Sequence, residues 1–347
     1  DGDIIATGNL KTNNLSARNI VINGDMRIVQ RGTSGSYASS GAAQVLACDR
    51  WKLSTNGTTG TVAQVAEVPD GSGFKYSLKT TVTNPTGSLS GGNYLAFIYA
   101  IERQDVQRLA YGTSSAKTST ISFWFRGSLA GKIGVKCSRN SRVFSTSTDV
   151  TANTWKFVEV VIPADTSTAL SGTDHDNGFD INITADAGSN YTSGSTGGNW
   201  IGTHVAYTAG FTNGQGGAYL TTDNSNFQIT GVQFEMGSKA TPFEHKSFGQ
   251  ELALCQRYFQ AYPYNDTTTA QGLRLNGDFS SVTSIPMRTT PTGTVFGVGG
   301  IDGSNSGKYD KDFVGNTTAA IETKITGFEI DTDGGVGIAA VTLDAEL

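Results

Sequence analysis

The segment STISFWFRGS at 119–128 alternates apolar and polar side chains almost residue by residue. Ile121, Phe123 and Phe125 fall on one side; Ser122 and Arg126 fall on the other, with Trp124 among them. A two-residue period puts successive side chains on opposite faces of a strand, so such a chain builds sheets with one packed and one open face. WKFVEVVIP (155–163) repeats the pattern, Val158, Val160 and Ile162 opposing Glu159 and Val161. Further strands are expected at NIVI (19–22), TVAQVAEV (61–68), YSLKTTVT (76–83), YLAFIYAIE (94–102), KIGVKC (132–137), FDINITA (179–185) and NFQITGVQFEM (226–236). In the last, the alternation changes phase at Gly231, as a β-bulge requires. The fold class is therefore all-β, with residues 19–246 a β-sandwich of jelly-roll type.

Many short strands need many tight turns, and the chain carries 44 glycines in 347 residues. Charged residues make up only 16%, beside 17 Phe, 12 Tyr and 4 Trp, the reverse of a disordered composition. No run of ~18 apolar residues is present, so membrane insertion by a helix is not expected. Twenty-five basic residues face 30 acidic ones, for a net charge of −5 and no basic stripe. Nucleic acid is excluded as a partner on that ground, because phosphate binding needs clustered Lys and Arg. Cys48, Cys137 and Cys255 form no CxxC pair and are read as small buried apolar side chains.

Two long polar stretches, 30–47 and 186–225, are expected as loops. In residues 1–18, Ile5, Leu10 and Leu15 recur every five positions among Gly, Asn and Thr. One apolar residue per short turn cannot bury itself within one chain; strands of several chains wound on one axis would cover it, the alternative for 1–18 being a disordered leader. After the sandwich, Ser247 and Gln250 make a capping box. Phe248, Leu252, Cys255 and Phe259 then form an apolar stripe, predicting a linking α-helix over 247–260 that Pro263 stops. Residues 261–347 return to β character at GLRL (272–275), TGTVFGV (292–298), ITGFEI (325–330) and GVGIAAVTL (335–343), expected as a smaller C-terminal β domain.

Chemistry-bearing constellations are sparse. His175, His204 and His245 lie far apart, without HExxH or zinc spacing. No GxSxG elbow is present, so no enzyme activity is expected. The turn DHDNGFD gathers Asp174, Asp176, Asn177 and Asp180, oxygen ligands close enough together to be a candidate for a structural calcium ion; no other cofactor is expected. In the 186–225 stretch, Tyr191, Trp200 and Tyr207 stand beside Asn199. Aromatic rings stack on the C–H faces of sugars and amides satisfy hydroxyls, so these four are the candidate carbohydrate-binding residues. Trp51 and Trp155, at strand starts, are expected in the core. Glu235, Thr241, Pro242, Phe243 and Glu244 are expected to fix the exit from the last sandwich strand.

Several segments in fixed order resemble tail fibres of tailed bacteriophages: RNIVINGDMRIVQRGTS (18–34), CDRWKLS (48–54), AIERQDVQRLAYGTSSAKTSTISFWFRGS (100–128), TWKFVEVVIPADT (154–166), ADAGSNYTSG (185–194) and NFQITGVQFEMGSKATPFEHKSFGQELALCQRYFQ (226–260). SIPMRTTPTGT (284–294) resembles an element of their C-terminal tip, and 1–18 their shaft. The resemblance covers about 240 of 347 residues. It implies a virion tail-fibre or receptor-binding protein with a carbohydrate-binding-like jelly roll at 19–246, a linking helix at 247–260 and a tip at 261–347. The implied partners are its own copies in a homotrimer, host surface polysaccharide or lipopolysaccharide, and other virion tail proteins reached through a preceding N-terminal part. The start at Asp1 is read as a processed product or a C-terminal fragment. Rival readings are a purely structural appendage or head decoration, and a polysaccharide depolymerase. No residue-level glycan site follows from the resemblance.

Overall fold

The computed structural model describes residues 17–263 apart from 40, 42, 46, 170–171 and 203–208, and then 273–276, 279–282, 285–297, 309–310, 316–317, 320–324, 327–331 and 335–346. The expected shaft at 1–18 lies almost wholly outside the described residues. The sandwich strands, in chain order, are β1 (Ser34–Tyr37), β2 (Ala43–Val45), β3 (Lys52–Asn56), β4 (Thr59–Val65), β5 (Ser77–Asn84), β6 (Tyr94–Glu102), β7 (Ser119–Gly127), β8 (Gly131–Arg139), β9 (Arg142–Val150), β10 (Lys156–Ile162), β11 (Asn177–Ala187), β12 (Ile201–Gly202) and β13 (Asn226–Met236). They pair antiparallel into a six-stranded sheet, β1-β4-β5-β13-β7-β10, and a seven-stranded sheet, β12-β9-β8-β11-β6-β3-β2. The chain crosses between the sheets repeatedly, which makes the jelly-roll sandwich.

The alternation decides which face is packed. Ile121, Phe123 and Phe125 are fully buried, as are Phe227, Ile229 and Phe234 of β13; Val158, Val160 and Ile162 join them. Across the sandwich they meet Leu95, Phe97, Tyr99, Ile181 and Ile183. The sheets touch ring to ring: Phe97 lies 5.0 Å from Phe227, and Phe179 lies 4.9 Å from Phe234. Each such side chain contributes about 1.5–3 kcal/mol on burial. The phase change falls where the sequence puts it: Gly231 has φ +63° and the β13–β7 register slips between Thr230 and Gln233. All three cysteines are buried free thiols, and Trp51 is in the core.

Several expectations are corrected. Residues 19–22 are not a strand, although Ile20, Val21 and Ile22 are buried. The 30–47 stretch contains β1 and β2, each an edge strand. Trp155 is half-buried at the edge instead of in the core. The helix is real and its Ser247/Gln250 capping box is formed, but it spans only Phe248–Gln256. Phe248 is exposed, and Phe259 belongs to a following strand, β14 (Phe259–Pro263), so Pro263 ends a strand and not a helix. The 3.6-residue stripe overran because Phe259 turns into a sheet pairing that is invisible locally. The strand Gly335–Asp344 pairs antiparallel with β14, with Leu273–Asn276 and with Thr292–Gly297, in line with the β character read for 261–347.

The chain entry and exit are sewn together by polar groups. Asn23 donates from Nδ2 to Ile28 O (2.9 Å) and Asp49 O (3.0 Å), and its Oδ1 accepts from Ile28 N (3.0 Å). Trp51 Nε1 donates to Asn23 O (3.1 Å), and Asn23 N donates to Glu251 of the helix. Asn19 Nδ2 donates to Val232 O (3.1 Å) while its Oδ1 accepts from Phe234 N (3.0 Å). Gly24 passes so close to β13 that a Cβ there would sit 2.1 Å from Val232 O.

Asn23→Ala would orphan three buried backbone groups, and is expected to cost about 3 kcal/mol in urea unfolding. Asp49 supplies a pH test. Burial pushes its carboxyl up to about 6, against the opposing pull of Gln30 and Arg31. The folded value lies above the unfolded ~3.9, so protonation favours the fold. The Asp49 contribution should therefore grow as pH falls from about 6 to about 4 and be absent above that window. The difference in unfolding free energy between wild type and Asp49→Asn, followed across this range, should carry that slope.

Candidate functional site

The outer face of the six-stranded sheet breaks the polar rule for an exposed face. Trp124 of β7 and Phe157 of β10 sit directly opposite in register, rings 5.3 Å apart and tilted by 58°. Phe157 remains 43% exposed. Each alternates with buried neighbours on its own strand, Trp124 with Phe123 and Phe125 and Phe157 with Val158, so both point away from the core and form an apolar floor on the solvent side.

Two walls rise beside this floor. One is the turn before β5, carrying Ser72 and Phe74; the other is the segment after β13, Ala240 to Phe243. Together with Ser122 and Gly231 they enclose an open groove of about 400 Å³, at the lower end of the range for ligand clefts. The bulge shapes it. Gly231 supplies the positive φ that re-aims β13, and the edge of the Phe74 ring rests on its bare Cα, where a Cβ would meet it at 2.4 Å. Phe74 in turn packs edge-on against Phe243 (5.1 Å), and His245 closes the cluster at 4.9 Å from Phe243.

The walls are pinned by buried polar groups. Thr241 donates from N (2.9 Å) and Oγ1 (2.7 Å) to the Glu235 carboxylate, and Gln233 Nε2 donates to the same group (2.7 Å). Glu244 N donates to Gln233 Oε1 (2.8 Å), and Arg18 Nη1 to Thr241 Oγ1 (2.9 Å). The exit residues Glu235, Thr241 and Glu244 thus do fix the joint, as expected. On the other side, Thr230 Oγ1 donates to Tyr76 O (2.7 Å).

A polar row runs beside the aromatic one. Lys79 of β5, Gln228 of β13 and Arg126 of β7 face one another in register. Glu67 bridges all three, accepting from Arg126 Nη1 (2.6 Å), Gln228 Nε2 (3.2 Å) and Lys79 Nζ (3.4 Å). The Gln228 hydrogen bond, with the two cations behind it, holds the Glu67 carboxyl below the usual carboxylate range.

The residues singled out in the sequence lie elsewhere and are not brought together. Trp200 is a correction: only 8% exposed, it packs against Tyr111, Phe144 and Phe179 and donates from Nε1 to Pro163 O (2.8 Å). It closes the core and has no free face for a sugar. Tyr191 is half-buried, edge-on to Tyr94 at 5.2 Å. Asn199 is exposed and bonds only within its own turn. Tyr207 lies outside the described residues. The acidic turn already faces a cation: Arg103 Nη1 contacts Asp174 at 2.9 Å and Asp176 at 3.2 Å. Asn177 Nδ2 is bonded to Asp180 Oδ1 (2.8 Å), and its Oδ1 accepts from Phe179 N in an Asx turn. Among the described residues, no group of three or more His, Cys, Asp or Glu is arranged to hold a metal. Adding calcium, or removing it with a chelator, is therefore expected to leave the thermal midpoint in place; a rise with calcium would show that the turn ligates it.

No family model matches the chain, and no curated protein does. Among solved structures it is similar to a family 11 carbohydrate-binding module from Clostridium thermocellum in complex with a β-1,3-1,4-mixed-linked tetrasaccharide: TM-score 0.30, 12% identity, 60% of this chain and 98% of that one. It is also similar to the N-terminal cellulose-binding domain of a Cellulomonas fimi β-1,4-glucanase: TM-score 0.28, 14% identity, 55% and 90% covered. A third is a carbohydrate-binding module described for specific mannan recognition: TM-score 0.27, 12% identity, 55% and 90% covered.

Proposed function

We propose that this protein is a non-catalytic glycan-binding adhesin, and that its ligand lies in the groove over Trp124 and Phe157. The observation that carries this reading is the pair of outward-facing rings on a rigid sheet, walled on two sides and flanked by a polar row. Burying a sugar's C–H face on such rings gains the hydrophobic term, while neighbouring polar groups replace the water lost by its hydroxyls. The walls are held by buried carboxylate and amide networks, so little ordering is left to occur on binding.

The wider role as a tail-fibre protein on a virion, acting as a homotrimer on host surface polysaccharide or lipopolysaccharide, rests on the sequence resemblance. Three weak grooves per trimer would suffice for attachment, since tethered sites multiply avidity. Purified protein added to host cells before infection should then reduce phage adsorption; unchanged adsorption removes the receptor role and leaves a structural appendage.

For the groove, titration of a polysaccharide panel with tryptophan emission as readout should reveal a binder. Trp124→Ala and Phe157→Ala should each weaken it about tenfold or more, that is ~1.4 kcal/mol, with thermal midpoints near wild type because both rings are partly solvent-exposed.

A further inference from the structure

Resting on the glycan reading of the groove, we infer that it selects neutral polysaccharides, and that Glu67 and Arg126 read adjacent hydroxyls on the sugar unit next to the one stacked on Trp124. Arg126 follows Trp124 by two residues on the same face of β7, about 6.8 Å along the strand. A glycan lying over the indole therefore carries its next ring to the Glu67–Arg126 pair.

That pair is built to meet a diol. The Glu67 carboxylate and the Arg126 guanidinium stand 2.6 Å apart, and their side chains are still 48% and 31% exposed. They set a strong acceptor beside a strong donor in water-accessible positions. Each of two neighbouring sugar hydroxyls both donates and accepts, so one hydroxyl donates to Glu67 while the other accepts from Arg126. Bonds to ionised partners are the stronger kind and are directional. The pair is also held in place: Gln228 Nε2 and Lys79 Nζ fix Glu67 from the floor, and Arg126 Nε donates to Asn153 O at 3.1 Å. Gln228 itself is 1% exposed, and its Oε1 has no partner.

The charge pattern argues for a neutral chain. The row on one side of the aromatic floor carries Lys79 and Arg126 against Glu67; the row on the other side carries Glu159, opposite Ser122. Two cations and two anions cancel, leaving no field to draw a uronate or sulfate along the groove. An anionic chain would also meet Glu67, which stays ionised at neutral pH and is held so by its hydrogen bonds. Each anionic sugar placed there faces a like charge.

The experiment uses the full chain, titrated calorimetrically with neutral glucan, galactan and mannan and with polygalacturonate and a sulfated galactan, at 50 mM and 500 mM salt. Wild type should bind at least one neutral polymer at least tenfold more tightly than either anionic one, with little change between the two salts. Glu67→Gln, which keeps shape and removes charge, should weaken the neutral ligand at least tenfold, and Arg126→Met likewise, with unchanged thermal midpoints. Tight, salt-sensitive binding of an anionic polymer would overturn the inference. So would Glu67→Gln and Arg126→Met variants that bind like wild type while Trp124→Ala does not; in that outcome the groove still binds glycan and only the selection is lost. Absence of binding to every polymer, with Trp124→Ala indistinguishable from wild type, would remove the glycan reading itself.

Discussion

The sandwich depends on a seam of buried hydrogen bonds that joins its first turn to its last strand. Asn19 and Asn23 act as adaptors, each supplying donors and acceptors to backbone groups that no sheet partner reaches. Their partners come from β13, from the turn before β3 and from the helix after the sandwich. Buried peptide groups left unpaired cost more than a paired one gains, so the seam works as a lock whose removal is expensive. Gly24 is part of the same lock, since any side chain there would collide with Val232 O. Segments 18–34, 48–54 and 226–260 meet along this seam, where they serve as framework.

Most of the sheet content was legible because the strands that matter alternate strictly. β6 and β13 begin and end where the sequence places them, and β7, β8, β10 and β11 agree to within a few residues. The misses share a cause. β9, RVFSTSTDV, is dominated by Ser, Thr and Asp, and its place between β8 and β12 is set by partners and not by its own hydrophobicity. β1 and β2 are short edge strands inside a stretch that looks like loop. The helix was legible from its cap, but its end was not, because Phe259 has an apolar partner strand about 80 residues away.

The proposed groove was legible only in part. Sequence reading went to aromatic residues in the long 186–225 stretch, where Trp200 is consumed by the core beneath it. The usable signal was in the alternation already noted: Trp124 and Phe157 are large rings at positions whose neighbours on that face are polar. Their meeting across β7 and β10 requires the register, and the walls require Gly231 and the tail after β13 to fold over the face. Neither is encoded locally. At the acidic turn, the cation the sequence could not show is Arg103, which sits beside Asp174 and Asp176.

One further contact bears on how the chain reaches this state. Arg50 is 1% exposed, its guanidinium 3.4 Å from the Tyr258 ring centroid, with Nη2 donating to Ala100 O at 2.7 Å and Nη1 paired with Glu346. Ala345 N donates to Tyr258 O beside it. A buried cation without its carboxylate is costly, and here the carboxylate is almost three hundred residues downstream. The burial of Arg50 is therefore complete only once the segment carrying Glu346 has docked beside Tyr258. Contacts of such long sequence separation carry a large loop-closure cost and form slowly, so this corner ties the ends of the described chain together late in folding.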